Sequence, residues 1–148
     1  MRTINEIVVH CSATKPDQDI GVSQIDQWHR DRGWREIGYH NVIRRNGVLE
    51  HGRDISEIGA HAYGYNRHSI GVCMVGGVDG NGKAEDNFTN EQYATLKGYL
   101  DTLFDVFPGA QLVGHRDLSP DVNGDSIIDR WEWVKECPSF DVRSWYKE

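Results

Sequence analysis

The spacing of apolar residues changes repeatedly along this 148-residue chain, and that change restricts the fold more than any other feature. Glu6 to Cys11 alternates, with Ile7, Val9 and Cys11 on one face and Val8 and His10 on the other, so both faces suit a sheet interior. Tyr39 to Arg45, then Asn46-Gly47, then Val48 to His51 predicts a hairpin, because Asn-Gly readily takes the two positive-φ positions of a tight turn. Ser69 to Val75 is rich in β-branched and small residues and predicts another strand, and Gln111 to Gly114 predicts a short last one that delivers His115. Helical spacing separates these runs. Tyr93, Leu96, Leu100, Leu103 and Phe107 follow a Thr89/Gln92 capping box at steps of three and four, and Pro108-Gly109 ends the pattern. Ser23 reads as the cap of an earlier helix whose stripe of Ile25, Trp28 and His29 packs on the sheet, and Phe140 to Lys147 reads as a terminal one. Strands separated by helices, with one hairpin among them, give an α/β fold: a mixed central β-sheet flanked by α-helices.

The length suits a single domain over residues 1–148, since a chain of this size buries roughly 70% of its unfolded surface. With 16 Lys and Arg against 23 Asp and Glu the formal charge is -7, which argues against nucleic-acid backbone as a partner. The 3 Cys residues are too few and too odd in number for a disulfide scaffold, so reduced thiols or a metal ligand are expected. No basic, apolar, small-residue export signal opens the sequence, and no apolar run approaches about 18 residues, so neither a signal peptide nor a membrane anchor is expected.

The chemistry concentrates between Gly114 and Asp141, which holds His115, Lys135 and Cys137. With His10 at a strand end, two imidazoles and one thiolate would leave a fourth tetrahedral position for water, the requirement for a catalytic zinc site. Spacing alone leaves these three open to being ordinary core or surface residues, because sequence-recognisable zinc sites depend on short paired spacings. Between His115 and Cys137, Asp121, Asn123, Asp125, Asp129 and Glu132 fall on positions 1, 3, 5, 9 and 12 of an EF-hand-like loop, and Ile127 offers its carbonyl at position 7. Calcium is therefore a second candidate ion, although Ser126 stands where glycine normally permits the sharp turn and no amphipathic helix precedes the loop.

Several blocks carry a family resemblance: Val9-His10-Cys11-Ser12-Ala13-Thr14, Gly33-Trp34 with Gly38-Tyr39-His40, Gly59-Ala60-His61-Ala62-Tyr63-Gly64-Tyr65-Asn66, Ser69-Ile70-Gly71-Val72-Cys73 and Cys137-Pro138-Ser139-Phe140-Asp141. In this order, over nearly the whole chain, they resemble the zinc-dependent N-acetylmuramoyl-L-alanine amidases of the phage T7 lysozyme type, whose fold the peptidoglycan recognition proteins share. The resemblance implies zinc held at His10, His115 and Cys137, a catalytic tyrosine at Tyr39 and an assisting lysine at Lys135. It also makes the acidic stretch, at about 117–134, an insertion relative to short members.

Under that resemblance a zinc-bound water, its pKa lowered from 15.7 toward about 7, attacks the amide between the lactyl group of N-acetylmuramic acid and L-alanine of the peptidoglycan stem peptide. Lys135 would stabilise the oxyanion, and Tyr39 would orient the water or protonate the leaving amine. His61 either lines the substrate cleft or braces its loop, Cys11 and Cys73 read as buried thiols, and His40 is expected to turn from the site into a structural hydrogen bond. His29, His51 and His68 read as surface or packing residues. The expected protein is a monomeric zinc hydrolase of cell-wall peptidoglycan, made in the cytoplasm and released as phage or prophage endolysins are. The rival reading on the same fold is a non-catalytic peptidoglycan-binding module. A calcium-binding interaction domain would explain the acidic stretch but leave His10 unemployed.

Overall fold

A computed structural model describes residues 2–119 and 136–147 of the chain. Among them five strands form one sheet in the order β3-β2-β4-β1-β5, with β1 at Glu6–Cys11, β2 at Asn41–Ile43, β3 at Leu49–His51, β4 at Ser69–Met74 and β5 at Gln111–Gly114. β1 runs parallel to both β4 and β5, β2 runs parallel to β4, and only the β2–β3 hairpin is antiparallel, so the sheet is mixed. The central strands are buried on both faces, which is why β1 and β4 read as nearly continuous apolar runs.

Helix α1 (Val22–Asp31) covers one face of the sheet, where Ile25 packs with Ile37, Val42, Cys73 and Val75. Helix α2 (Asn90–Val106) and the short α3 (Val142–Lys147) cover the other, where Leu96, Leu100, Leu103, Phe140 and Val142 meet Ile7, Val9, Ile70, Val72 and Met74. The predicted capping box of α2 is present: Gln92 N–H donates to Thr89 Oγ1 at 3.1 Å, and Thr89 N–H donates to Gln92 Oε1 at 2.9 Å. Gln92 is also fully buried, and its Nε2 donates to the carbonyls of Ile43 (3.1 Å) and Val75 (2.8 Å). One side chain thus caps the helix and satisfies backbone acceptors at the ends of two strands.

The start of α1 and the hairpin turn both differ from local expectation, and the terminal helix begins at Val142 instead of Phe140. Helix α1 begins one residue before Ser23, with Gly21 as its N-cap and no side-chain cap bond. The carboxylate of Glu50 on β3 supplies the acceptor instead, taking the Val22 N–H at 2.8 Å and placing negative charge at the helix start. In the hairpin only Gly47 is at positive φ (87°), and the loop spans three residues, with Arg44 N–H donating to Val48 O at 2.9 Å and Gly47 N–H to Arg44 O at 2.8 Å. Asn46 has another task there: its Oδ1 accepts the Val48 N–H at 3.0 Å. Among the described residues no helix is long and apolar enough to cross a membrane.

Candidate active site

Strand pairing brings the sequence-distant histidines together. His10 is the fifth residue of β1, on the α1 side of the sheet and 1% exposed. The parallel register sets Val9 opposite Gly114, so the chain leaving β5 puts His115 beside His10, with ring centroids 4.5 Å apart. Cys137 arrives from the other direction. A Cβ at Gly114 would stand 2.8 Å from Pro138 Cδ, so a glycine is required for the Cys137-Pro138 segment to lie this close to the end of β5. Arg116 N–H donates to Cys137 O at 2.8 Å, and Cys11 N–H donates to Cys137 Sγ at 3.0 Å.

One ligand atom from each of His10, His115 and Cys137 lies within 4.8 Å of the others. Two imidazoles and one thiol this close can share one ion, and that donor set suits zinc rather than the oxygen-seeking calcium or magnesium. Without a cation, burial pushes the Cys137 thiol well above its ordinary pKa, with the neighbouring Cys11 thiol acting in the same direction. A divalent ion would reverse that preference, because a coordinating thiol is deprotonated.

The three residues stand in one wall of a cleft of about 700 Å³. Tyr39 lines it with its ring centroid 5.0 Å from that of His10. Tyr39 lies just before β2 rather than within it, and its carbonyl accepts the Arg53 N–H at 2.9 Å. Burial, then the nearby thiols of Cys73, Cys137 and Cys11, raise the Tyr39 phenol well above its ordinary pKa, so it stays protonated and can donate. Residue 38 must be glycine for this entry to β2, because a Cβ there would stand 2.0 Å from the Ala60 carbonyl oxygen.

His40 faces away from the cleft into hydrogen bonds. Its Nδ1 accepts the Gly71 N–H at 3.0 Å, which leaves the proton on Nε2 to be donated to Glu57 O at 2.8 Å. Burial, reinforced by the Arg2 and Arg53 cations, pulls its pKa down to about 4. An unfolded histidine titrates near 6.5, so the unfolded chain binds a proton that folded His40 refuses until about pH 4. Its contribution to stability is complete above the unfolded value and falls as the pH drops through that window. Urea unfolding of the chelator-treated protein at about pH 7 and about pH 4.5 is expected to show a loss on the order of 2–3 kcal/mol from this group. A flat profile across that interval would contradict the assignment.

His61 does both things that its loop position allowed. It lines the cleft, and it hydrogen-bonds into the scaffold, with Nδ1 2.9 Å from His10 Nε2 and Nε2 3.1 Å from Ser69 Oγ. Burial, then the nearby rings of His40 and His115, hold its pKa down at about 3, so the ring is neutral at physiological pH.

The remaining cleft residues carried weaker signals. Trp28 was expected under α1 against the sheet, but it is 36% exposed and lines the cleft with Trp34 and Tyr65. His29 is buried, accepts the Gly38 N–H on Nδ1 at 2.9 Å and packs 5.5 Å from the Tyr39 ring. A helical stripe shows which residues share a face, but not that its edge overhangs a cavity. Cys11 is buried, and it meets Cys137 through both its thiol and its backbone N–H. Lys135 and the calcium candidates Asp121, Asn123, Asp125, Ile127, Asp129 and Glu132 lie outside the described residues.

Residues 1–139 match the family described as N-acetylmuramoyl-L-alanine amidase. The chain belongs to that family. It is similar to the endolysin of Enterobacteria phage T3, at 45% identity over 99% of this chain and 87% of that protein. To the endolysin of Escherichia phage T7 it is 46% identical over 96% of this chain and 85% of the relative. Among solved structures it resembles the N-acetylmuramoyl-L-alanine amidase LysC from Clostridium intestinale URNW, with a TM-score of 0.73 and 27% identity over 95% of this chain and 79% of that one. Drosophila PGRP-LB shares the fold, with a TM-score of 0.68 at 22% identity over 93% of this chain and 76% of that one. The single-domain mixed sheet is thus an amidase fold, and the chain is a cell-wall hydrolase of the N-acetylmuramoyl-L-alanine amidase class.

Proposed function

We propose that the cleft hydrolyses the amide between the lactyl group of N-acetylmuramic acid and the L-alanine of peptidoglycan stem peptides, with zinc held by His10, His115 and Cys137. The observation that carries this reading is the meeting of two imidazoles and one thiol within 4.8 Å in the cleft wall of an amidase-family chain. When bound there, zinc would supply Lewis acidity, lowering the pKa of a coordinated water toward about 7 and polarising the scissile carbonyl. The chain's own residues set the stage for that chemistry. The Cys11 N–H, 3.0 Å from Cys137 Sγ, favours the charged thiolate over the thiol. The protonated Tyr39 phenol, beside His10, orients the nucleophile or hands a proton to the leaving amine. Trp28, Trp34 and Tyr65 give the cleft apolar walls on which sugar and peptide faces can lie.

Two further assignments rest on sequence alone. Lys135 supplies a fixed positive charge for the oxyanion, as the resemblance implies. Calcium binding at Asp121 to Glu132 would make the stretch at about 117–134 an ordered insertion in an amidase domain spanning 1–148. Endolysin-type release onto the wall from within an infected cell is consistent with the phage relatives.

The test is mass spectrometry of purified peptidoglycan digested by the protein with and without a zinc chelator. Free stem peptides beginning at L-alanine, beside glycan with intact lactyl groups, are expected, and the chelator should abolish them. New reducing ends would place the cut in the glycan instead. Release that survives complete removal of metal would overturn the zinc reading.

A further inference from the structure

His61 is the most heavily built residue of the cleft that the proposed chemistry leaves without a task. A Cβ at Gly71 would stand 2.6 Å from His61 Cγ, and one at Gly59 would stand 2.8 Å from His61 Cδ2, so two glycines open the slot in which the ring lies. Asn66 Oδ1 accepts both the His61 and the Ala62 N–H groups at 2.9 Å, which fixes the backbone that carries the ring. Ser69, behind it, is fully buried at the start of β4, and Arg2 Nη1 donates to its carbonyl at 2.7 Å. Held this way, the ring places Nδ1 2.9 Å from His10 Nε2 and Nε2 3.1 Å from Ser69 Oγ.

We propose that His61 is a positioning residue for the metal centre: its Nδ1 accepts the Nε2 proton of His10, fixes that tautomer and ring orientation, and presents the Nδ1 lone pair of His10 to the ion. A neutral imidazole has one donor and one acceptor, so accepting at Nδ1 leaves the His61 proton on Nε2, directed at Ser69 Oγ. Both bonds of the chain His10–His61–Ser69 are then satisfied with one proton each. A ligating histidine commonly donates its other ring N–H to such a partner, which raises its basicity and holds its orientation, and loss of the partner costs 10–100-fold in metal affinity. Here the partner is a second histidine instead of the commoner carboxylate, so the support adds no negative charge to the site.

This inference rests on the zinc reading of His10, His115 and Cys137, and zinc titration against a competing chromophoric chelator separates the two. The wild-type protein is expected to bind one zinc per chain. His61→Ala is expected to bind it about 10–100-fold more weakly and to alter the visible spectrum of the cobalt-substituted protein. His61→Asn puts an amide oxygen near the Nδ1 position and is expected to recover most of the affinity. A wild type that takes up no zinc would overturn the zinc reading and this inference with it. Wild-type affinity and an unchanged cobalt spectrum in His61→Ala would overturn this inference alone. Imidazole nitrogen NMR of the zinc-loaded wild type decides the matter even if the variants fail to fold: His10 and His61 are both expected as Nε2–H tautomers, and a His10 protonated on Nδ1 would refute the proposal.

Discussion

Cys137→Ser is expected to lower kcat/KM for release of stem peptides by on the order of 10³-fold, equivalent to about 4 kcal/mol of transition-state stabilisation. Cys137 is the one thiol in the triad, and it ionises far more readily than a serine hydroxyl and is the softer donor for zinc. The substitution also keeps an acceptor for the Cys11 N–H, which now donates to Cys137 Sγ at 3.0 Å, so the loop should hold its place. The zinc-free variant should therefore melt near the zinc-free wild type. The rise in Tm expected when zinc is added to the wild type should be largely lost, because stabilisation by a ligand grows with the logarithm of its affinity for the folded state. Peptide release by chromatography and thermal melts with and without zinc measure both effects. Activity within tenfold of wild type would remove Cys137 from the metal site.

Tyr39→Phe is expected to lower kcat about 100-fold or more while KM and zinc content stay close to wild type. The substitution removes one oxygen and leaves the ring that packs 5.0 Å from His10 and 5.5 Å from His29. Burial keeps the phenol protonated, so what is lost is a proton donor and hydrogen-bond partner, not a charge. The Cys73 thiol, buried and pushed well up in pKa, is the neighbour that the Tyr39 hydroxyl steadies, so a small stability change of about 1 kcal/mol is expected. An unchanged kcat would make Tyr39 a packing residue and move the proton transfer elsewhere in the cleft.

The parts of the fold that were legible in the sequence are those whose cause is local. Strand β1 has the predicted limits, Glu6–Cys11, and β5 spans Gln111–Gly114, because alternation and short β-branched runs specify a strand wherever it lies in the sheet. Helix α2 and its Thr89/Gln92 box were equally plain, since both partners of the cap lie within one turn. Helix α1 starts two residues earlier than a Ser23 cap implies, because its first N–H is answered by Glu50, on a strand that follows it in the chain. The hairpin type changed because a side-chain bond from Asn46 competed with the positive-φ turn that Asn-Gly favours.

The site divides along the same line. Sequence blocks singled out His10, Tyr39 and Cys137, and the position after the last predicted strand supplied His115, because motif order survives even when spacing carries no geometry. Nothing in the sequence joined His61 to His10, or placed Trp28 at the rim of the cleft instead of under its helix. By itself the sequence determined the elements, the reaction class that family membership carries and the residues worth watching, because these follow from short-range pattern and residue chemistry. Only the tertiary structure decided which side chains meet. The parallel register that sets Val9 against Gly114, and the glycines at 59, 71 and 114 that let other side chains close in, act between segments far apart in the chain.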